Sequence, residues 1–175
     1  MRTSEVMSKP AVICPTSCSI NEAARLMWEF DCGVIPVVDD EGRLAGMVTD
    51  RDICMAAYTQ GKPLAEIPVT VAMARDVGAI HENDPVEAVE HVMQDNQVRR
   101  VPVLDGERRP VGIVSLNDLA RRAAHSKKHG VDHEIVATLA AVSEPRQREQ
   151  AAVRPALVGV EMPRAAEHEA QLLPA

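Results

Sequence analysis

Residues 46–52 read Gly46-Met47-Val48-Thr49-Asp50-Arg51-Asp52, and residues 112–118 read Gly112-Ile113-Val114-Ser115-Leu116-Asn117-Asp118. Both fit the phrase Gly-h-h-[Ser/Thr]-x-x-Asp, with h apolar, in which a strand feeds straight into a helix. The phrases stand sixty-six positions apart, and the offset holds across the chain. Met7 is matched by Met73, Met27 by Met93, Pro36-Val37 by Pro102-Val103, and Asp39 by Asp105, without a gap. Chance produces one such pair; a series of them is an internal repeat.

Each copy carries the same grammar. A short apolar stretch (11–14; 77–80) leads to a turn and then to an amphipathic helix. Ile20, Ala23, Ala24 and Met27 recur at helical spacing, as do Val86, Val89 and Met93. Ser19 and Asp84 are expected N-caps, and Pro85 suits a first helical turn. The run Val34-Ile35-Pro36-Val37-Val38 predicts a strand, mirrored by Val101-Pro102-Val103-Leu104. Asp39-Asp40-Glu41-Gly42 and Asp105-Gly106 are turn chemistry, so each strand returns as a hairpin. Thr49 and Ser115 then open a second helix. The unit reads β-α-β-β-α and is too small to bury its faces alone, so the two copies are expected to pack sheet to sheet. The expected class is mixed α/β (α+β): repeat 1 over 1–60, a linker over 61–70, repeat 2 over 71–124, a helical extension over 125–143 and a disordered tail over 144–175.

Composition narrows the function. The chain has 175 residues, 46% of them hydrophobic but only 2% aromatic, so its core is built from aliphatic side chains and Met. Scarce aromatics argue against a base-stacking platform, and a net charge of −7 argues against broad binding to phosphate backbones, so no nucleic-acid partner is expected. No apolar run approaches the ~20 residues of a membrane span, and the start lacks an apolar signal-like region. A cytoplasmic location without membrane contact is therefore expected. Cys14, Cys18, Cys32 and Cys54 lack the paired spacing of a zinc site and read as small apolar fillers, with no metal.

The repeated phrase has two readings. Ser/Thr-x-x-acid before a helix is a capping box, in which hydroxyl and carboxylate satisfy free backbone N–H groups. The same geometry suits a ligand. A helix N-terminus favours phosphate, a hydroxyl adds a hydrogen bond, and a carboxylate one turn in accepts both hydroxyls of a ribose cis-diol. Gly46 and Gly112, lacking a Cβ, leave room for close approach. No nucleophile–base set suggests an enzyme, and the Gly phrase is not a P-loop.

The repeat, the strand bearing Pro-Val and the Gly-h-h-[Ser/Thr]-x-x-Asp phrase together resemble tandem cystathionine-β-synthase-type (CBS) domains, over about residues 1–124. That resemblance implies a non-catalytic regulatory module that binds an adenosine-containing nucleotide: AMP, ADP or ATP, with S-adenosylmethionine or NAD as further candidates. No cofactor is required. It also implies a homodimer that signals to a protein partner; the alternative is a dimerisation scaffold that binds no nucleotide. Carried over by position, ribose and phosphate fall to Thr49 with Asp52 and to Ser115 with Asp118. Adenine falls to Ile13 and Cys14 with Ile35 and Pro36, and to Ile80 with Val101 and Pro102. Arg51, and Arg100 of the Arg99-Arg100 pair, are candidates for phosphate contact or are solvated surface charges.

Past residue 120 the resemblance fades. Arg121-Arg122 and Lys127-Lys128 form a basic helix end, favourable at a C-terminus. His125, His129 and His133 are expected to be solvated surface histidines. Residues 134–142 predict a short helix with Ile135, Leu139 and Val142 on one face, docking on this domain or on a partner. The helix faces bearing Met27, Met93 and Trp28 are candidate contact surfaces, with core packing as the other reading for both Met.

Overall fold

The computed structural model describes the backbone of residues 1–125 and 131–144, and the side chains of 1–124 and 134–144. The histidine series 125, 129 and 133 and the tail from 145 onward lie outside the described residues or side chains. Two three-stranded sheets form, in the orders β1-β2-β3 and β4-β5-β6. In the first, β1 (Cys14–Pro15) runs parallel to β2 (Val34–Val38), which pairs antiparallel with β3 (Leu44–Thr49). The second repeats this with β4 (Ile80–His81), β5 (Arg100–Leu104) and β6 (Pro110–Ser115). Even the irregularities recur: the ladder shifts between Val37 and Val38, and again between Val103 and Leu104. Asp39 Oδ1 accepts from the amides of Glu41 and Arg43, and Asp105 Oδ1 from those of Glu107 and Arg109, so both hairpins turn on an aspartate.

Helices cover one face of each sheet. In the first half α1 (Ile20–Glu29) and α2 (Asp50–Gln60) bury Ile20, Ala23, Met27, Ile53 and Ala56 against Ile35, Val37 and Val48. In the second, α4 (Val86–Asn96) and α5 (Leu116–His125) bury Val86, Val89, Met93 and Leu119 against Val101, Val103 and Val114. The intervening Val34, Pro36, Val38 and Met47 are also buried but belong to neither cluster. Strand alternation turns them to the opposite face. The halves are tied by the Leu44 amide donating to the Arg108 carbonyl at 3.0 Å and by Arg109 Nε donating to the Glu41 carbonyl at 3.2 Å. Met27 and Met93 are thus core side chains and not contact surface, whereas Trp28 is 88% exposed.

The lead-in of each copy packs on the other copy. Residues 3–8 approach the second half: the Thr3 amide and hydroxyl both donate to the Asp84 carbonyl at 2.9 Å, and Ser8 and Ile113 exchange backbone hydrogen bonds of 2.9 and 3.0 Å. Val6 and Met7 pack against the second core. The second copy's lead-in does the converse. α3 (Val69–Ala72) buries Val69 in the first core with Ile67 and Met73, and Ala74 and Met47 exchange hydrogen bonds of 2.8 and 2.9 Å. This exchange explains Gly46 and Gly112. A Cβ on Gly46 would lie 2.6 Å from the Ala74 carbonyl, and one on Gly112 would lie 2.6 Å from Met7 Sδ. The glycines make room for the exchanged lead-ins, which corrects the expectation that they make room for a ligand.

Two local expectations are corrected. Asp84 does not cap α4; its carboxylate accepts from the His81 amide at 2.9 Å, and extended Pro85 takes the N-cap position. A residue before proline is driven out of the helical region, so the turn claims Asp84 and the helix starts one step later. At the C-terminal end α6 (Val131–Ser143) docks on α4 and α5 through Ile135, Thr138 and Val142, while Leu139 is 48% exposed. Thr138 is buried because its hydroxyl accepts from Gln94 Nε2 at 2.7 Å, which rotates the buried face away from Leu139. No helix among the described residues is long and apolar enough to cross a membrane.

Candidate functional site

Both repeated phrases form strand-to-helix junctions closed by a capping box. Thr49 is extended (φ −112°, ψ 164°) and ends β3; α2 begins at the next residue. Its Oγ1 accepts from the Asp52 amide at 3.2 Å and donates to Asp52 Oδ2 at 2.6 Å, and its amide donates to the same oxygen at 2.9 Å. At the second junction Ser115 Oγ accepts from the Asp118 amide at 3.2 Å and donates to Asp118 Oδ2 at 2.5 Å. The Ser115 amide donates to Oδ2 at 2.8 Å. Each hydroxyl therefore spends its only proton on its own aspartate and keeps acceptor capacity toward a ligand.

The junctions differ at the other carboxylate oxygen. A carboxylate offers about four lone-pair positions, about two per oxygen. At Asp118 all are used: Oδ1 accepts from Ser8 Oγ at 3.4 Å and from the Arg121 guanidinium, and Oδ2 is taken by Ser115. At Asp52, Oδ1 has no hydrogen-bond partner among the described residues, and Glu90 Oε1, not this oxygen, is the buried polar atom left unpaired. Asp52 thus presents to solvent an oxygen that can accept two hydroxyls, whereas Asp118, 8% exposed, presents none.

The remaining expected residues separate into core and surface. The side chains of Cys14, Ile35 and Val101 are fully buried and pack under the helices, so they offer a ligand only backbone. The Cys14 thiol is pushed up to about 12, chiefly by burial and then by neighbouring Cys18, so it stays protonated and packs as an apolar group. Pro36 and Pro102 are buried on the opposite sheet faces, Ile80 is half-buried, and Ile13 is 42% exposed on the segment that crosses between halves. Arg51 is exposed. The backbone of Arg100 lies opposite Ser115 in the β5–β6 register, but its guanidinium reaches the first half. A Cβ on Gly33 would lie 3.3 Å from Arg100 Nη2 and 3.0 Å from Asp50 Oδ2. Arg100 is thus shared between the halves at the N-terminal end of α2.

Ser8 and Arg121 are the residues the sequence reading missed. Arg121 was expected to face the helix C-terminus, but it turns back one turn to Asp118, and Arg122 lies 3.9 Å from Glu87 on α4. The repeat offset holds the signal: Ala74 stands where the other copy has Ser8, and Met55 where it has Arg121. A second feature is apolar. Ala24, Met27, Trp28, Cys32, Asp50 and Ile53 line a shallow groove of about 280 Å³ between α1 and α2.

The CBS domain family profile matches residues 4–58 and 65–125. Hypoxic response protein 1 of Mycobacterium tuberculosis is 36% identical over 128 residues, 73% of this chain and 83% of that protein. L-aspartate semialdehyde sulfurtransferase of Methanocaldococcus jannaschii is 36% identical over 117 residues, 67% of this chain but only 22% of that protein's length. Among solved structures, the CBS domain pair of protein MJ0100, in complex with 5'-methylthioadenosine and S-adenosyl-L-methionine, superposes with a TM-score of 0.64 at 32% identity. That match covers 71% of this chain and 96% of that one. With the sixty-six-residue repeat, the paired sheets and the two capping-box junctions, these matches show that the chain belongs to the CBS domain family, as a tandem pair.

Proposed function

We propose that this CBS pair is a regulatory module that binds an adenosine-containing ligand at its strand-to-helix junctions and passes occupancy to a protein partner. The carrying observation is the open Oδ1 of Asp52 beside the N-terminus of α2, where a ribose cis-diol finds an acceptor. A phosphate there falls to the Arg51 and Arg100 guanidiniums, because the Arg51 and Asp52 amides are already taken by Asp50 Oδ1 and Thr49 Oγ1. Thr49, Arg51 and Asp52 are the polar contacts in this reading, with adenine against the backbone near Ile13, Cys14, Ile35 and Pro36. The second junction supplies Ser115 and Asp118, with Ile80, Val101 and Pro102, while the Arg100 guanidinium reaches across to the first junction. Both ligands of the MJ0100 pair contain adenosine, which supports the ligand class. AMP, ADP and ATP are the first candidates, then S-adenosylmethionine and NAD. Binding regulates only if two packing states differ in affinity, and the interface between halves, laced by exchanged lead-ins, is the element able to supply them.

Homodimerisation is the second part of the proposal. Trp28 on α1, Phe30 just past its end, and Met55 and Tyr58 on α2 are exposed, and large apolar side chains left on the surface favour a partner. The same exposed side chains favour the scaffold reading, in which the chain only self-associates and both junctions are structural.

Thermal unfolding with AMP, ADP, ATP, NAD or S-adenosylmethionine separates the two. A ligand at about 100 times its dissociation constant adds about 2.7 kcal/mol, an upward shift of roughly 5–10 °C for a protein of this size. A shift that Asp52→Ala abolishes is the expected result. No shift with any of the five, in folded dimeric protein, selects the scaffold.

A further inference from the structure

We infer that the chain closes its own Asp118 junction, leaving the Asp52 junction as the one that receives a diol-bearing ligand; this rests on the nucleotide-binding reading above. Four donors already fill the carboxylate of Asp118: the amide and hydroxyl of Ser115, the Ser8 hydroxyl and the Arg121 guanidinium. The last two stand where a ribose diol would donate. Ser8 arrives on the exchanged lead-in, and Arg121 lies one turn along α5, on the helix face it shares with Asp118. Their counterparts by the repeat offset, Ala74 and Met55, have no side-chain N–H or O–H, so the first junction has no equivalent closure.

The closure is exchangeable. The Arg121 side chain is 69% exposed, so water and salt compete for it, while that of Asp118 is 7% exposed and loses a charge-assisted partner when Arg121 leaves. A ligand entering there must displace Arg121, which makes its binding about tenfold to a hundredfold weaker than at an open junction. Occupancy is therefore sequential, with Asp52 filled first.

Calorimetric titration of the full chain with AMP, and separately with S-adenosylmethionine, tests this by stoichiometry. The unmodified protein is expected to take one tight equivalent of its probe per chain, lost in Asp52→Ala. Arg121→Met with Ser8→Ala, which gives the second junction the residues of the first, is expected to gain a second equivalent. Adding Asp118→Ala to that variant removes the gain. Arg121→Met alone serves if the double variant does not fold. Two equal equivalents in the unmodified protein, tight binding that survives Asp52→Ala, or no gain in a folded Arg121→Met variant overturn the inference. No binding of either probe to the unmodified or the opened protein removes the nucleotide-binding reading itself, and the inference with it.

Discussion

The two halves share a backbone plan down to their bulges and turns, yet differ in what covers them. In the second half α6 lies over α4 and α5, burying Ile135, Thr138 and Val142. The corresponding face of the first half carries exposed Trp28, which the repeat offset places where Gln94 meets α6. The junctions follow the same division: Asp118 is filled by the chain's own donors, and Asp52 keeps an oxygen open. Duplication thus supplies two equivalent scaffolds, and a few substitutions turn one inward on its own donors while leaving the other open to solvent.

The largest expected effect breaks the covered half. Ile135→Ala removes an anchor of α6 and is expected to cost about 2–4 kcal/mol in urea unfolding. A loss below about 0.5 kcal/mol, the range of ordinary surface changes, would mean that α6 does not stabilise the half it covers. Next comes the exchange of lead-ins, probed by alanine at each glycine. Gly46→Ala drives a Cβ against a backbone carbonyl at 2.6 Å, whereas Gly112→Ala meets the flexible Met7 thioether at 2.6 Å and the Ser8 carbonyl at 2.9 Å. Both are expected to destabilise by about 1–3 kcal/mol, with Gly46→Ala the worse. Equal or negligible costs would contradict the packing described for the lead-ins.

A smaller effect depends on pH. Glu90 of α4 is 5% exposed and Oε1 lacks a partner. Burial first, and then Glu134 of α6, hold its carboxyl above the ordinary 4.5; Arg122 of α5 opposes them, Glu87 adds to them and His91 opposes. Below 4.5 both folded and unfolded chains hold the proton and stability is complete. As pH rises from there through the folded value, the unfolded chain releases its proton first and stability is lost. Glu90→Gln is expected to flatten that decline in urea midpoints measured from about pH 4 to about pH 8. The same slope in protein and variant would show that Glu90 is not its source. The smallest effect on unfolding belongs to the open face. Trp28→Ala is expected to leave monomer stability within about 0.5 kcal/mol while weakening self-association in sedimentation. Unchanged association would leave the α1–α2 face without the proposed role.

Much of this architecture is legible in the sequence because the repeat reports local structure twice. Strand, turn and helix each read from a pattern of a few residues, and Asp39 and Asp105 build their turns with the hydrogen bonds that residue type favours. The capping boxes at Thr49 and Ser115 were readable for the same reason. What periodicity does not carry is which half a segment joins. The lead-ins pair across the molecule, so the demand on Gly46 and Gly112 comes from Ala74 and Met7, distant in sequence. The buried face of α6 turns on Thr138, a polar residue whose burial depends on Gln94 of another helix. The asymmetry of the junctions was present as Ser8 against Ala74 and Arg121 against Met55, but it acquires meaning only once the exchange places Ser8 beside Asp118.

The most direct test of that asymmetry is a crystal structure of the unmodified protein grown with AMP near saturation of its tight site. The account predicts a nucleotide whose ribose hydroxyls donate to Asp52 Oδ1, with Arg121 still on Asp118. A ribose seated on Asp118 with Arg121 displaced, and the Asp52 junction empty, would contradict it.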